Sequence, residues 1–187
     1  MVTFPLPKIP PESYQAGGLS FGNERHWQAH AACDLLAPAG IEVYAVEKGT
    51  VWYGPRSFFL SGPQHRVDGK SVCNEDATCI MTYEVAIIHP TFIVRYGEVG
   101  IKRAEGIANG KEVSEGQVIG WVGAQAVNTM LHFEMYSNPD DLESLTQEHN
   151  KFYVNFPKTK KNFKRRKDLM DPTNYLFICI LRSNQTY

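Results

Sequence analysis

The sequence predicts a mainly β protein built on an antiparallel sheet, and three observations support this class. Residues 41–54 and 83–99 are rich in β-branched and aromatic side chains and are interrupted by a glycine or a proline, as strands and their turns commonly are. Residues 111–123 and 129–137 repeat this pattern. Helical periodicity is weak except in 139–149, whose proline and acidic residues suit a first helical turn. We therefore expect several strands and few short helices.

The length of 187 residues is sufficient for one domain with its own core. Residues 1–19 are predicted to form an N-terminal extension, and residues 20–187 a single domain. Two stretches, 55–82 and 138–168, are predicted to be long loops inserted into this domain. Loops of this length within a compact domain are often functional.

Charge and hydropathy exclude several classes of protein. The net charge of -1, with 21% charged residues, lacks the basic excess typical of nucleic-acid-binding proteins. No run approaches the roughly 18 to 20 apolar residues that a membrane span needs, and prolines interrupt the start of the chain, where a signal peptide would be apolar. The sequence predicts no nucleic-acid partner, no transmembrane segment and no cleaved signal peptide.

The strongest local charge is in KTKKNFKRRK, Lys158–Lys167, where seven of ten residues are basic. This segment is either a solvated loop or a docking surface for an anionic polymer, with Phe163 available for stacking. The sequence leaves both interpretations open.

The four cysteines divide into two pairs. Cys73 and Cys79 bracket a short polar loop whose ends would meet in a disulfide, whereas Cys33 and Cys179 lie in apolar segments that need only a small buried residue. A possible Cys73–Cys79 bridge would indicate an oxidising compartment.

One set of side chains has the chemistry of a metal site. If the chain is extended at HAACD, His30 and Asp34 share one face of a strand. His132, in the strand-like segment TMLHFEMYS, would supply a third donor from another strand. Two imidazoles and a carboxylate are a ligand set of catalytic zinc, with the fourth coordination position open. Each part alone is weak, because a lone strand histidine is more often a core residue with a satisfied hydrogen bond.

The order of several motifs strengthens this interpretation. The H-x3-D run is followed by G-T-V at 49–51, by G-Q-V-I-G-W-V-G at 116–123 and by L-H-F-E at 131–134. Over roughly residues 20–177 the chain resembles the lysostaphin and LytM type of zinc metallopeptidase. The resemblance implies an antiparallel sheet with a substrate groove, as in the duplicated-hybrid-motif type of fold. It also implies hydrolysis of a peptide bond in cross-linked peptidoglycan stems.

By this resemblance His30, Asp34 and His132 are the ligands of one Zn²⁺. The same resemblance exposes two departures: Met130 stands where the family usually has a catalytic histidine, and Glu98 stands where a second one usually follows a tyrosine. We expect Glu98 to act as the general base instead, because a carboxylate can take the proton from the attacking water.

Further expectations concern the groove. Strand parity places Glu98 on the face of Tyr96, and Tyr96 and Met130 are expected to contact substrate. The oxyanion of the reaction would need a donor besides zinc. The candidates, among which the sequence does not decide, are Arg25, His26, His65, Tyr83 and Tyr96.

Other classes of function remain to be compared. A non-catalytic module of the same type would keep zinc and bind the cell wall or a regulatory partner. The hairpin at 111–123 also resembles lipoyl and biotinyl carriers, but no lysine lies at its tip. A histidine-phosphate carrier would need paired histidines, which Met130 and Glu98 do not provide.

The expected place of action is the periplasm or cell wall of a bacterium. Since the sequence predicts no signal peptide, delivery by a contractile secretion system or a phage tail is expected, as for an antibacterial effector. A truncated sequence that lacks its native signal is the alternative. A cognate immunity protein would be the partner of a secreted effector.

Overall fold

The computed structural model describes residues 2–11, 13–24, 29–61, 64–67, 70–75, 80–125, 128–137, 153–155 and 164–183. Within these ranges the regular elements are β-strands, except for a short 3-10 helix at Gly17–Leu19 and one α-helix, α1, at Thr173–Ser183. The strands are β1 (Cys33–Leu36), β2 (Glu42–Tyr44), β3 (Gly49–Ser61), β4 (Gln64–Val67), β5 (Lys70–Cys73), β6 (Ile80–Ile88), β7 (Ile93–Val99), β8 (Glu112–Val113), β9 (Val118–Trp121), β10 (Met130–Tyr136), β11 (Tyr153–Asn155), β12 (Lys164–Arg166) and β13 (Leu169–Met170).

One seven-stranded antiparallel sheet forms the centre of the fold. Its strand order is β1-β10-β7-β6-β3-β8, and β13 pairs with β10. Three two-stranded sheets, β2-β9, β4-β5 and β11-β12, lie outside it. The predicted antiparallel class is confirmed, as are the strands expected in 41–54, 83–99, 111–123 and 129–137.

A smaller hydrophobic cluster that includes Ile93 and Tyr136 lies on one face of the large sheet, and the main core covers the other face. Alternate residues of β10, namely Leu131, Phe133 and Met135, are fully buried in the main core. Because successive strand side chains point to opposite faces, Met130, His132 and Glu134 belong to the opposite face. Among the described residues, no helix has the length and apolar character needed to cross a membrane.

The prediction of a loop at 55–82 is wrong. β3 continues to Ser61 and β6 begins at Ile80, so the two strands extend as a long pair beyond the rest of the sheet. The pairing of β3 with β6 shifts register three times, and such bulges break the alternation of apolar and polar residues. Gly54 and Pro55, which indicate a turn, lie inside the continuous strand.

Helix α1 was not predicted. The Asp171 carboxylate accepts a hydrogen bond from the Thr173 amide at the helix start, and Leu176 and Cys179 are buried in the core. Phe177, by contrast, is exposed. Apolar residues therefore lie around the whole helix and conceal its periodicity. The helix predicted at 139–149 lies outside the described residues.

The basic segment Lys158–Lys167 is described only from Lys164 onward. Arg166 is buried, its guanidinium lies over the Tyr136 ring at 5.0 Å, and it donates to both oxygens of Asp168 at 2.9 and 2.6 Å. This arginine stabilises the fold, so it is not available to an anionic polymer. Residues 158–163 lie outside the described residues.

Candidate metal centre

Sheet register brings Asp34 and His132 together. In the antiparallel pair of β1 and β10 these two residues are directly opposite, so their side chains leave the sheet on the same face. Nδ1 of His132 lies 2.9 Å from Oδ1 of Asp34. Asp34 is 2% exposed and His132 14%, so the pair is accessible from the histidine side.

His30 joins this pair from the segment that precedes β1. Its backbone is fixed by hydrogen bonds with Gly22 and Asn23, and its ring Nδ1 lies 2.9 Å from the carbonyl oxygen of Ser20. An Nδ1–H donated to this carbonyl leaves Nε2 as the metal-binding atom, the usual arrangement of a histidine ligand. Nε2 lies 3.0 Å from Asp34 Oδ1.

The three predicted ligands fit a zinc ion. One donor atom from each of His30, Asp34 and His132 lies within 4.8 Å of the other two. The facing ring nitrogens of the two histidines are 3.4 Å apart, and both approach the same carboxylate oxygen. Two nitrogens and one anionic oxygen that converge in this way form the three-ligand set of catalytic zinc sites.

The electrostatics of the metal-free centre follow from these contacts. Burial alone would raise the pKa of the Asp34 carboxyl, but hydrogen bonds from His132 and His30 outweigh it and hold this pKa well below its ordinary value. Burial would lower the pKa of His132, yet Asp34 and Glu134 outweigh it and raise that pKa to about 9. Asp34 and His132 therefore form an ion pair at this centre.

Gly97 packs against the side chain of His132. The two residues are paired across β7 and β10, and a Cβ atom at position 97 would lie 3.2 Å from the His132 Cβ. The imidazole therefore lies closely over the β7 backbone. A larger side chain at this position would push the ring away from Asp34.

A buried chain of charges extends from the centre along the same sheet face. Oε1 of Glu134 lies 3.8 Å from His132 Nε2, and its other oxygen accepts a 2.9 Å bond from Arg95. Arg95 also donates to Glu84, whose second oxygen accepts from Arg56 at 2.6 Å. Glu134, Arg95 and Glu84 are all buried. Burial raises the pKa of Glu134, but Arg95 outweighs it and lowers this pKa to about 2.

This chain of charges was missed by the sequence analysis, although a signal for it was present. Glu134 lies two residues after His132, so strand periodicity alone places both on one face. Arg95 and Glu84 could be placed only once the register was known: Glu134 pairs with Arg95, and Glu84 with Gly97.

Glu98 does not follow strand parity. Val99 pairs with Tyr83 and Gly97 pairs with Glu84, so Glu98 is an extra residue in β7, and its φ of 66° is left-handed. The residue is 6% exposed, and its carboxylate accepts a 2.5 Å hydrogen bond from Gln125 Nε2. Its neighbour Gly97 pairs with His132 across β7 and β10. The parity argument that grouped Glu98 with Tyr96 is therefore corrected.

The two residues expected to contact substrate differ in placement. Tyr96 is fully buried, its ring packs on Phe133, and its hydroxyl accepts a hydrogen bond from the Val46 amide at 3.0 Å. This burial in the core does not agree with a substrate contact and corrects that expectation. Met130 is half-buried and lies on the same sheet face as His132, as expected.

Several other candidates have no described side chain. Arg25 and His26 lie outside the described residues, and only the backbone of His65 is described, in β4. Cys73 is disulfide-bonded, whereas Cys33 and Cys179 are buried thiols outside any disulfide. Since Cys79 lies outside the described residues, its pairing with Cys73 stays a prediction.

Comparison with known proteins gives a match at the level of structure only. No protein-family model and no curated protein matches the sequence. The catalytic domain of the antimicrobial peptidase lysostaphin from Staphylococcus simulans is 16% identical, with a TM-score of 0.50, over 86% of this chain and 90% of that chain. CbpA from L. salivarius REN is 14% identical, with a TM-score of 0.53, over 97% of each chain.

A structure of lysostaphin itself is 17% identical, with a TM-score of 0.52, over 87% of this chain and 49% of that chain. The chain has the lysostaphin-type fold. The resemblance inferred from the sequence motifs is thus confirmed for the architecture. In this lysostaphin-type fold one donor atom from each of the three candidate ligands lies within 4.8 Å of the other two, on the sheet face opposite the main core.

Proposed function

We propose that the chain is a zinc-dependent peptidase that hydrolyses a peptide bond in the cross-linked stem peptides of bacterial peptidoglycan. The observation that carries this proposal is the convergence of His30, Asp34 and His132 on the accessible face of a lysostaphin-type sheet. Lysostaphin is described as an antimicrobial peptidase, and the likeness to it supports the choice of a cell-wall substrate.

The three ligands would hold one Zn²⁺ through Nε2 of His30, a carboxylate oxygen of Asp34 and Nδ1 of His132. Zinc in such a site polarises a carbonyl and makes water a stronger nucleophile near neutral pH. The Ser20 carbonyl fixes the His30 ring, and Asp34 binds both imidazoles, so the ligands are oriented before the metal arrives.

Glu98 is proposed as the general base. A carboxylate beside a zinc centre can accept the proton of the attacking water and pass it to the leaving amine. The position of Glu98 after Gly97, and the Gln125 hydrogen bond that orients its carboxylate, support this role. Met130, beside His132, would give the substrate an apolar wall that its thioether can adapt to.

A second candidate function is a module that keeps zinc and binds the wall or a regulatory partner without cutting. The observation in its favour is the burial of Glu98, whose carboxylate is already engaged by Gln125. A general base must reach the proton that it abstracts. If Gln125 holds Glu98 away from the substrate, binding remains and hydrolysis is lost.

The place of action follows from the substrate. Peptidoglycan lies outside the bacterial cytoplasm, so the proposed peptidase acts in the periplasm or cell wall. Delivery by a contractile secretion system or phage tail, with a cognate immunity protein, stays a prediction from the sequence.

The test is mass spectrometry of the soluble products released from cross-linked peptidoglycan by the zinc-loaded protein. We expect cross-linked dimers to become monomers. His132→Ala should abolish the reaction through loss of metal, and Glu98→Gln should abolish it with the metal still bound. Glu112→Gln, a change of an exposed glutamate, is the matched control and should retain activity.

The outcomes separate the two candidates. Cleavage that survives Glu98→Gln would exclude this residue as the base. Zinc binding and peptidoglycan binding without any cleavage by the unaltered protein would favour the non-catalytic module.

A further inference from the structure

A row of five residues crosses the sheet from the metal centre. Asp34 on β1 pairs with His132 on β10, which pairs with Gly97 on β7, then with Glu84 on β6 and Arg56 on β3. Residues directly opposite in antiparallel strands project from the same face. Arg56 therefore shares the face of the metal centre. Three strand spacings separate it from His132, a distance of about 14 Å.

Arg56 is exposed but held firmly. Its side chain is 48% exposed, whereas that of Glu84, to which it is bound, is 1% exposed. Nε and Nη2 of Arg56 donate to the same oxygen of Glu84 at 3.0 and 2.6 Å. The guanidinium also lies 3.9 Å above the centre of the Tyr53 ring. These contacts fix both the plane and the direction of the cation.

The support for Arg56 is itself rigid. The second carboxylate oxygen of Glu84 accepts a hydrogen bond from the buried Arg95, which is also bound to Glu134. Glu84 therefore cannot turn away from Arg56 without breaking a buried ion pair. A cation positioned in advance loses little side-chain entropy when it binds a ligand.

One part of the guanidinium remains for a ligand. Nε and Nη2 are directed at Glu84, and within the described part of the chain Nη1 contacts no acceptor. Two arginines and two glutamates alternate along this chain, so their charges balance, and a ligand would bind through the Nη1 edge of Arg56 rather than through an excess of charge. A planar guanidinium with an unoccupied side is suited to a carboxylate.

We propose that Arg56 binds a carboxylate of the peptide substrate. An extended peptide advances by about 3.5 Å per residue, so this carboxylate lies about four residues from the bond over the metal centre. The substrate is then an acidic peptide that crosses the strands from β10 to β3. This inference rests on the proposed function, since it takes the bound peptide to span both positions.

The test uses binding, so that it does not depend on cleavage. Two fluorescent peptides of the length of a stem, made without acidic side chains, one ending in a free carboxylate and one in an amide, are titrated with the zinc-loaded protein, and anisotropy is recorded. Neither peptide carries another carboxylate. We expect about tenfold tighter binding of the free carboxylate by the unaltered protein.

Arg56→Gln should remove this preference while leaving the affinity for the amide and the zinc content unchanged. Arg56→Lys keeps the charge but not the double contact with Glu84, so it should retain part of the preference. Arg103→Gln, a change of an exposed arginine, should leave the preference intact. An equal preference in Arg56→Gln and the unaltered protein would overturn the proposal.

Cleavage is measured separately with peptidoglycan. If the preference for the free carboxylate depends on Arg56 but peptidoglycan is not cut, the carboxylate site is supported and the peptidase function is rejected. If peptidoglycan is cut and Arg56→Gln binds both peptides as the unaltered protein does, the peptidase function is supported and the Arg56 carboxylate site is rejected.

Discussion

Asp34 and His132 face each other across β1 and β10, with Nδ1 of the imidazole 2.9 Å from a carboxylate oxygen. Backbone pairing alone sets this contact, because the two residues are opposite in the register. His30 completes the group from outside the strand, and its ring is fixed by Ser20. The geometry of the centre therefore depends on the sheet more than on any flexible loop.

Loss of one ligand should remove the metal. We expect Asp34→Asn and His132→Ala each to weaken zinc binding at least 100-fold, because the remaining two donors cannot complete a three-ligand site. Competition with a chromogenic chelator measures the affinity. Gln117→Ala, in the turn before β9, should not change it. Stoichiometric zinc binding by Asp34→Asn at unchanged affinity would place the metal elsewhere.

The affinity for zinc should keep rising with pH above pH 7, where an ordinary histidine is already deprotonated. The pKa of His132 in the metal-free protein is raised to about 9, so below that pH a proton must leave before zinc binds. The apparent Kd should therefore fall about tenfold for each pH unit from pH 7 to pH 8.5, and level off near pH 9. An ordinary pKa of about 6.5 would instead give a constant Kd above pH 7.

Glu134 should orient His132. Its carboxylate lies 3.8 Å from Nε2 of the ring, on the side away from Asp34. Partners of a metal-binding histidine commonly contribute 10- to 100-fold in affinity. We expect Glu134→Gln to weaken zinc binding about tenfold with the fold intact by circular dichroism, and Glu112→Gln to have no effect. Unchanged affinity in Glu134→Gln would exclude this orienting role.

Arg95 should be important for stability. It is buried between Glu84 and Glu134, so Arg95→Met would leave the buried Glu134 without its arginine and Glu84 with Arg56 alone. Removal of one partner of a buried pair costs about 3 to 5 kcal/mol. Urea unfolding should show a loss of this size, against less than about 0.5 kcal/mol for the exposed Arg103→Met. A loss below about 1 kcal/mol would show that water reaches the two carboxylates.

Much of the fold could be predicted because its strands alternate regularly. β10 is the clearest example: each apolar residue from Leu131 to Met135 is buried, and each intervening residue lies on the opposite face. Prediction failed where this regularity is broken. The bulges of β3 concealed a long strand, and the apolar residues around α1 concealed its amphipathic pattern.

The candidate site, like the fold, was predicted in part: residues within recognisable motifs were found, and residues placed by irregular backbone or by strand register were not. The motif order led to His30, Asp34 and His132, since local sequence carries their chemistry. Glu98 was misplaced because its left-handed φ breaks the parity from which its face was inferred. Arg56 was not foreseen, because it is placed by a register between strands that are distant in sequence.

Zinc titration of the cleavage reaction tests the central claim most directly. The protein is stripped of metal, Zn²⁺ is added in fractions of an equivalent, and peptides released from cross-linked peptidoglycan are counted by mass spectrometry. The account predicts no release without metal, a linear rise to one equivalent and a plateau beyond it. Peptide release by the metal-stripped protein, or no peptide release after one equivalent of Zn²⁺ has been added, would contradict a one-zinc peptidase.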